Sequence, residues 1–148
     1  MTQDFKLAGP SGFFDLILDG AEFGTVDGLE TAIVISLFTD ARAKASQVKS
    51  PDRRRGWVGN ILNIETGRQL GSRLWVYDQS RLTPDIMNAV AEEAKRCLFW
   101  MVQDGVARSI NAGVEKISER AINIVIDIVT ASGENRRYEL LWRSTGAL

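Results

Sequence analysis

The amino-acid sequence predicts an α+β fold in which a long amphipathic helix packs on a small, mostly antiparallel sheet with a C-terminal hairpin. Two hydrophobic periods support this prediction. Between Thr83 and Gly105 apolar residues recur every three or four positions, which is typical of a helix with one buried face. After Ala121 the period becomes two, which is typical of half-buried strands. A shorter N-terminal helix completes the fold, which we expect to form one domain over residues 1–148.

The N-terminal region is predicted to hold an arm, a strand and the shorter helix. Glycine, proline and serine make residues 1–12 typical of a flexible arm, and residues 13–20 favour a strand. A helix is expected to start at Asp27, because Glu30 follows at the spacing of a capping box. One face of this helix is predicted to carry Leu29, Ala32, Ile33, Ser36 and Leu37.

Residues 41–60 form the least regular part of the sequence. Polar and basic residues, Pro51 and two glycines interrupt every period, which indicates a long basic loop. Loops longer than about 12–15 residues usually have a function or are disordered. Residues 60–65 and 71–78 are predicted to form two short strands that are joined by a turn.

The long helix has signals at both ends. Thr83 is suited to cap the first turn, Pro84 to occupy the first helical position, and Asp85 to face the positive end of the helix dipole. Gly105 is suited to end the helix after about five turns. The apolar face is predicted to consist of Ile86, Met87, Val90, Ala91, Ala94, Cys97, Leu98 and Met101.

Three segments after this helix are predicted to be strands. Residues 106–114 favour a strand, and residues 121–129 alternate polar side chains with isoleucines on the core face. The turn-forming residues 131–135 lead into residues 136–143, which return antiparallel. This hairpin or three-stranded meander is expected to pack on the long helix, and one face of its last strand is formed by Tyr138, Leu140 and Trp142.

The residue types predict no catalytic, metal-binding or cofactor-binding site. Histidine is absent from the sequence, which removes the usual general base near neutral pH and the commonest metal ligand. Glu92 and Glu93 are expected on the exposed face of the long helix, where adjacent positions cannot flank one bond. The single cysteine, Cys97, lies on the apolar face. We therefore expect no enzyme activity, no cofactor and no metal.

Charge is distributed unevenly along the chain. The net charge is only −1, but residues 41–81 hold nine Lys/Arg and three Asp/Glu, whereas the remainder holds nine and sixteen. A basic middle between acidic flanks favours docking in a preferred orientation. The sequence shows no signal-peptide pattern and no apolar run near the roughly 18 residues of a transmembrane helix. We expect a soluble protein that is made in a cytoplasm and has no membrane partner.

Arginine and tryptophan are concentrated in two motifs, at residues 52–57 and 71–75. Three interpretations stay open: a solvated loop whose Trp57 is buried in the protein's own core, a nucleic-acid site, or a protein–protein anchor. Arginine and tryptophan are enriched in interface hot spots, whereas a nucleic-acid site normally has a broader basic field. Together with the C-terminal strand, these motifs provide the candidate partner-binding residues Arg53, Arg54, Arg55, Trp57, Arg73, Trp75, Tyr138, Leu140 and Trp142.

Several segments, in this order, resemble the small baseplate wedge protein of Mu-like contractile-tailed phages. They are residues 27–40, 52–60, 71–75, 82–84, 99–107 and 138–142. The family loop often reads Asp-Arg-Arg-Gly-Trp-Trp-Gly-Asp, whereas this chain has an additional arginine, Val58 and Asn60. Many members have a Glu-Pro-Arg signature after the long helix, which is replaced here by Gln103-Asp104-Gly105.

The resemblance implies a structural role as a sheath-initiator wedge subunit in the tail baseplate of the virion. Such a subunit would lie next to the central hub or spike proteins and bind the larger wedge arm protein. Its C-terminal strands would start the first ring of tail sheath protein, and six copies per baseplate would follow from the symmetry of the family's baseplate. Two other functions are considered: a lysozyme-like peptidoglycan hydrolase of the tail, and a nucleic-acid-binding module that uses the basic loop. Under the wedge interpretation no nucleic-acid partner is expected.

Overall fold

The predicted α+β fold is confirmed by a computed structural model, in which helices pack on a three-stranded antiparallel sheet. The structure describes residues 3–5, 7–8, 15–16, 18–19, 22–23, 25–50, 53–61 and 69–144. None of the helices within these ranges has the length and apolar character needed to cross a bilayer.

Short strands precede the first helix, and they pair antiparallel two by two. The pairs are β1 (Gln3–Phe5) with β6 (Thr25–Asp27), β2 (Leu7–Ala8) with β3 (Asp15–Leu16), and β4 (Leu18–Asp19) with β5 (Glu22–Phe23). The strand predicted over residues 13–20 is therefore present as two short strands. The predicted arm at residues 1–12 contains β1 and β2 among its described residues, and its flexibility stays a prediction.

The shorter predicted helix is present as α1 (Gly28–Phe38). Its predicted core face is confirmed, because Ile33 and Leu37 are almost fully buried. The run of β-branched residues around Ile33 has weak helix propensity, so burial rather than propensity holds this helix. Trp100 donates its indole N–H to Ser36 Oγ at 3.1 Å, which fixes α1 to the end of the long helix.

The long helix begins where the sequence predicts, but it is divided near its end. Its first part, α2 (Pro84–Leu98), has Thr83 as N-cap, whose Oγ1 accepts from the N–H of Ile86 at 3.3 Å. A break at Phe99 separates it from the short α3 (Trp100–Gln103). Gly105 then adopts a left-handed φ of +73° and closes the helix with the paired backbone hydrogen bonds of a Schellman motif.

The C-terminal meander consists of β7 (Ala107–Lys116), β8 (Ala121–Thr130) and β9 (Asn135–Arg143), in that order across the sheet. Both strand pairs are antiparallel, and Ile122 lies opposite Trp142. The predicted inner face is confirmed, since the isoleucines of β8 and Trp142 are buried in one core with α2. Partly buried side chains, including Tyr138 and Leu140, pack against this core.

The strand predicted over residues 71–78 is wrong. Ser72 makes one isolated parallel bridge with Asp40, and Leu74–Tyr77 then forms a 3-10 helix. The N–H of Val76 donates to Arg73 O within this turn and not to a neighbouring strand. Leu74 is buried in the core. The other strand predicted in this region, over residues 60–65, lies mostly outside the described residues, and a 3-10 turn at Val58–Ile61 overlaps its start.

Candidate functional site

The described part of the basic loop is attached to the core by backbone hydrogen bonds. Ala41 and Ala43 are fully buried. The N–H of Ala41 donates to Ser72 O at 2.8 Å, and the N–H of Ala43 donates to Arg54 O at 2.9 Å. The side chain of Arg54 returns this contact, because its Nε donates to Ala43 O at 2.6 Å. The small Ala41 therefore lets the loop lie close against the segment that follows Gly71, and Ala43 lets two parts of the loop lie close to each other.

Gly71 allows this close approach. Its φ of +105° lies in a region that other residues rarely adopt. A β-carbon at this position would lie 2.4 Å from Thr39 O, which is far inside contact distance. The next residue, Ser72, donates its N–H to the same carbonyl at 2.8 Å and its hydroxyl to Leu37 O. The second arginine–tryptophan motif thus starts at a fixed point beside the end of α1.

Glu93 of α2 fixes the same motif from the opposite side. Its carboxylate accepts the backbone N–H of Arg73 at 2.6 Å and two N–H groups of Arg96, at 2.6 and 2.8 Å. Burial raises the pKa of Glu93, but the hydrogen bonds and positive charges of Arg96 and Arg73 outweigh it and lower the pKa below its ordinary value. The exposed position predicted for Glu93 is wrong, since the residue is only 9% exposed. The carboxylate thus accepts the N–H of Arg73, the residue that precedes the Leu74–Tyr77 turn.

Arg55 and Trp75 bring the two arginine–tryptophan motifs together. The guanidinium of Arg55 lies 4.9 Å from the centroid of the Trp75 ring, within the range of a cation–π contact. Arg55 also donates to Asp40 Oδ2 at 3.2 Å, and its φ of +49° is the left-handed conformation. Trp75 donates its indole N–H to Ala41 O at 2.8 Å. The ring is therefore oriented by the loop and covered by an arginine from the same loop.

These contacts form one wall of an open cavity of about 650 Å³, which we call the basic groove. It lies between the first part of the loop and the segment around the Leu74–Tyr77 turn. Its charged lining, as far as the described residues show it, includes Lys49, Arg53, Arg55 and Asp78. Burial raises the pKa of the Asp78 carboxyl, while Arg55 opposes this shift. Trp75 and neutral side chains, among them Gln47, Val48, Val76 and Gln79, complete the lining.

The other predicted arginine and tryptophan residues are placed differently. Arg73 does not line the groove, because its Nε donates to Arg42 O at 3.1 Å. Trp57 is 44% exposed, so its side chain is not part of the core. Its ring instead lies over Gly59, where a β-carbon would approach the indole to 2.2 Å. This position favours the interface interpretation of Trp57 over the core interpretation.

The C-terminal candidates lie on the inner face of β9, away from the groove. Trp142 is only 2% exposed, and Tyr138 and Leu140 are partly buried against the same core. Burial is the main cause of the raised pKa of Tyr138. These three side chains support the sheet, so a partner would meet β9 mainly through its backbone edge and its outward side chains.

One backbone edge of β9 pairs with β8, and the other faces away from it. The N–H of Thr130 donates to Glu134 O, and the N–H of Ser144 donates to Arg120 O, both at 2.8 Å. Both bonds join residues that lie opposite each other when the register of β8 and β9 is continued, and Glu134 and Ser144 have even numbers. Because hydrogen-bonded pairs alternate along an antiparallel ladder, the even-numbered residues of β9 direct their N–H and C=O groups toward β8. The odd-numbered residues, including Glu139 and Leu141, direct their N–H and C=O groups outward. Among the described residues, no strand pairs with this outer edge.

The end of β9 is attached to the groove. Ser144 Oγ lies 2.7 Å from Asp78 O and 2.9 Å from Ser80 O, so its hydroxyl donates to the turn that lines the groove. Asp78, Lys49 and Glu93 were missed as site residues in the sequence. The local excess of positive charge points to Lys49, whereas the two acidic residues become visible only through the contacts made in the folded chain.

The described residues provide little for catalysis. No group of three acidic, cysteine or histidine side chains converges as a metal site within them. Cys97 is buried, and burial, followed by the charge of Glu93, raises the pKa of its thiol to about 12. A thiol with such a pKa is protonated at neutral pH and is a poor nucleophile.

Comparison with known proteins identifies the family. The family model described as Phage protein GP46 matches residues 29–135. The Mu-like prophage FluMu protein gp46 of Haemophilus influenzae is 33% identical over 142 residues, which is 95% of this chain and 98% of that protein. Baseplate protein gp46 of Escherichia phage Mu is 32% identical over 138 residues, which is 92% of this chain and 93% of that protein. The resemblance noted in the sequence is thereby confirmed, and this chain belongs to the GP46 family of Mu-like phage proteins.

Proposed function

We propose that this protein is a structural subunit of the tail baseplate of a Mu-like phage, located in the virion tail, and that it acts there in assembly rather than catalysis. Similarity over nearly the full length of the phage Mu baseplate protein supports this role. The family match over residues 29–135 covers α2, most of the sheet and both arginine–tryptophan motifs. Within the baseplate we assign it to the wedge, next to the hub, as the sequence resemblance implies.

The open edge of β9 is the observation that carries the assembly mechanism. An added strand gains backbone hydrogen bonds along such an edge and makes few demands on side-chain identity. The strand is nine residues long, and its inner face is already held by Trp142 in the core. Arg137 and Glu139 lie on its outward face, and charges of this kind discourage unspecific pairing of free edges. We assign this edge to a strand of the first sheath ring.

The basic groove and Trp57 form the second proposed contact, with the larger wedge arm protein or the hub. Arg54 and Arg73 donate to backbone carbonyls of their own chain, so we assign them to support the loop. Arg53 and Trp57 are exposed and available to a partner. The copy number of six is a proposal that rests on the family's baseplate symmetry.

Proline at position 139 tests the strand-edge mechanism. Glu139→Pro removes an N–H that points away from β8, so the ladder within the sheet is retained. Glu139→Ala is the matched control, because it removes the same carboxylate and keeps the N–H. We expect both variants to fold, as judged by circular dichroism and thermal melting, but only the alanine variant to support sheath assembly on tails observed by electron microscopy. Normal sheath assembly by a folded Glu139→Pro protein would contradict the mechanism.

A further inference from the structure

We infer that the basic groove is the binding site for an extended acidic segment of a partner protein. The groove, with a volume of about 650 Å³, falls in the range of about 300–1,000 Å³ that is usual for binding pockets. The inference rests on the proposed function only in taking that partner to be another baseplate protein. It also adds Lys49 to the residues that contact the partner.

The charges that line the groove favour carboxylates. Among the described residues that line the groove, three are cations, Lys49, Arg53 and Arg55, and one is a carboxylate, Asp78. Arg55 is already paired with Asp40 at 3.2 Å. Among the described residues, no acidic side chain pairs with Lys49 or Arg53. Within the described part of the chain, Lys49 and Arg53 can therefore pair with carboxylates of a partner, and they lie in the most basic part of the sequence.

The uncharged lining favours a peptide over a nucleic acid. Val48, Val76 and the ring of Trp75 provide apolar surface for side-chain methylene groups, while Gln47 and Gln79 can bond to a peptide backbone. A single-stranded nucleic acid would instead need open aromatic faces for base stacking. Arg55 lies over one face of the Trp75 ring, which leaves no face on that side for a base, and the Asp78 carboxylate would repel phosphates.

Binding of a labelled hexaglutamate peptide to the full-length protein tests the inference. Fluorescence anisotropy at low ionic strength would measure the dissociation constant, with hexaglutamine and a single-stranded thymidine hexanucleotide as comparison ligands. The test variant combines Lys49→Glu with Arg53→Glu. The matched control combines Lys95→Glu with Arg120→Glu, which changes the net charge equally at exposed positions outside the groove. Circular dichroism would establish that both variants fold.

We expect hexaglutamate to bind, hexaglutamine not to bind, and the groove variant to weaken binding at least about tenfold, equivalent to about 1.4 kcal/mol. The control variant should bind within about twofold of the parent protein, and added salt should weaken binding because exposed charges are screened. Equal weakening by both variants, or tighter binding of the thymidine hexanucleotide than of hexaglutamate, would overturn the inference.

A separate experiment distinguishes this inference from the proposed function. Purified tails would be probed for the protein with an antibody. Tails without the protein, together with groove-dependent hexaglutamate binding, would refute the baseplate role and leave the groove assignment in place. Tails that contain the protein, together with peptide binding that is independent of Lys49 and Arg53, would refute the groove assignment alone.

Discussion

Replacing Glu93 by glutamine is expected to loosen the attachment of the Leu74–Tyr77 turn to α2. The carboxylate accepts the N–H of Arg73 and both donors of Arg96 in a site that is largely closed to water. Glutamine retains one acceptor oxygen for the N–H of Arg73. The same oxygen can still accept Nη2 of Arg96, but the amide N–H₂ group would face the Nε–H of Arg96, so one hydrogen bond and the charge of the pair are lost.

The expected cost follows from these contacts. Hydrogen bonds to charged groups contribute about 1.5–3 kcal/mol each, and a buried donor left without an acceptor costs about 1–3 kcal/mol. The side chain of Arg96 is 43% exposed and recovers water when the pair is lost, which reduces the loss. We therefore expect Glu93→Gln to lower the free energy of unfolding by about 2 kcal/mol. The neighbouring Glu92→Gln is the control, and as an exposed substitution it should change this value by no more than about 0.5 kcal/mol.

The contribution of Glu93 also depends on pH. Its pKa is lower in the folded protein than in the unfolded chain, so the stabilisation is present above the unfolded value of about 4.3. It is lost as the pH falls through the folded pKa, because the folded carboxylate must then take up a proton. The difference in stability between the parent protein and Glu93→Gln should therefore be largest at neutral pH and decrease below about pH 4.

Urea-induced unfolding, followed by circular dichroism at pH 7 and at a series of acidic pH values, measures both effects. Glu93→Gln and Glu92→Gln should be compared in parallel, since they change the net charge equally at adjacent positions. Equal stability of the two variants at pH 7 would refute the role assigned to Glu93. A stability difference that persists unchanged in acid would refute the charge-based explanation.

Three further substitutions or reactions test local features. Gly71→Ala should lower the free energy of unfolding in urea by about 2–3 kcal/mol, because Gly71 has a positive φ and lies next to a carbonyl oxygen. Gly113 has open space around it, so Gly113→Ala should not destabilise the protein, and equal effects of the two substitutions would contradict this explanation. Gly59→Ala should displace the ring of Trp57 and change its fluorescence with little loss of stability; an unchanged spectrum would contradict the ring position. Cys97 should react with a thiol reagent only as fast as the protein unfolds, and rapid labelling of the native protein would show that the thiol is accessible.

The sequence predicts well where one hydrophobic period runs without interruption. The start of α2 follows from Thr83 and Pro84, whose local chemistry needs no tertiary contact. The inner face of β8 follows from its alternating isoleucines, and Gly105 ends the helical region as its conformational freedom allows. Each of these elements is determined by neighbours within a few positions in the chain.

The sequence predicts poorly where distant residues decide the conformation. The segment 71–78 has strand-forming residues, yet Ser72 bonds to Thr39 and the N–H of Arg73 bonds to Glu93, so it turns into a 3-10 helix. The sequence alone does not distinguish a solvated glutamate on a helix from one that is buried against a distant hydrogen-bond donor. The exposed position predicted for Glu93 is wrong for this reason. The basic groove likewise depends on two segments whose nearest lining residues, Arg55 and Trp75, are twenty positions apart.

The hydroxyl of Ser144 gives the molecule a defined mechanical connection. Its contacts with Asp78 O and Ser80 O, at 2.7 and 2.9 Å, fasten the C-terminal end of β9 to the turn beside the basic groove. A pull along β9 is therefore transmitted to that turn as well as to the core that β9 shares with α2. In the proposed role, tension from the sheath would reach the wedge contact by this short route, and the two interfaces would be strained together when the tail contracts.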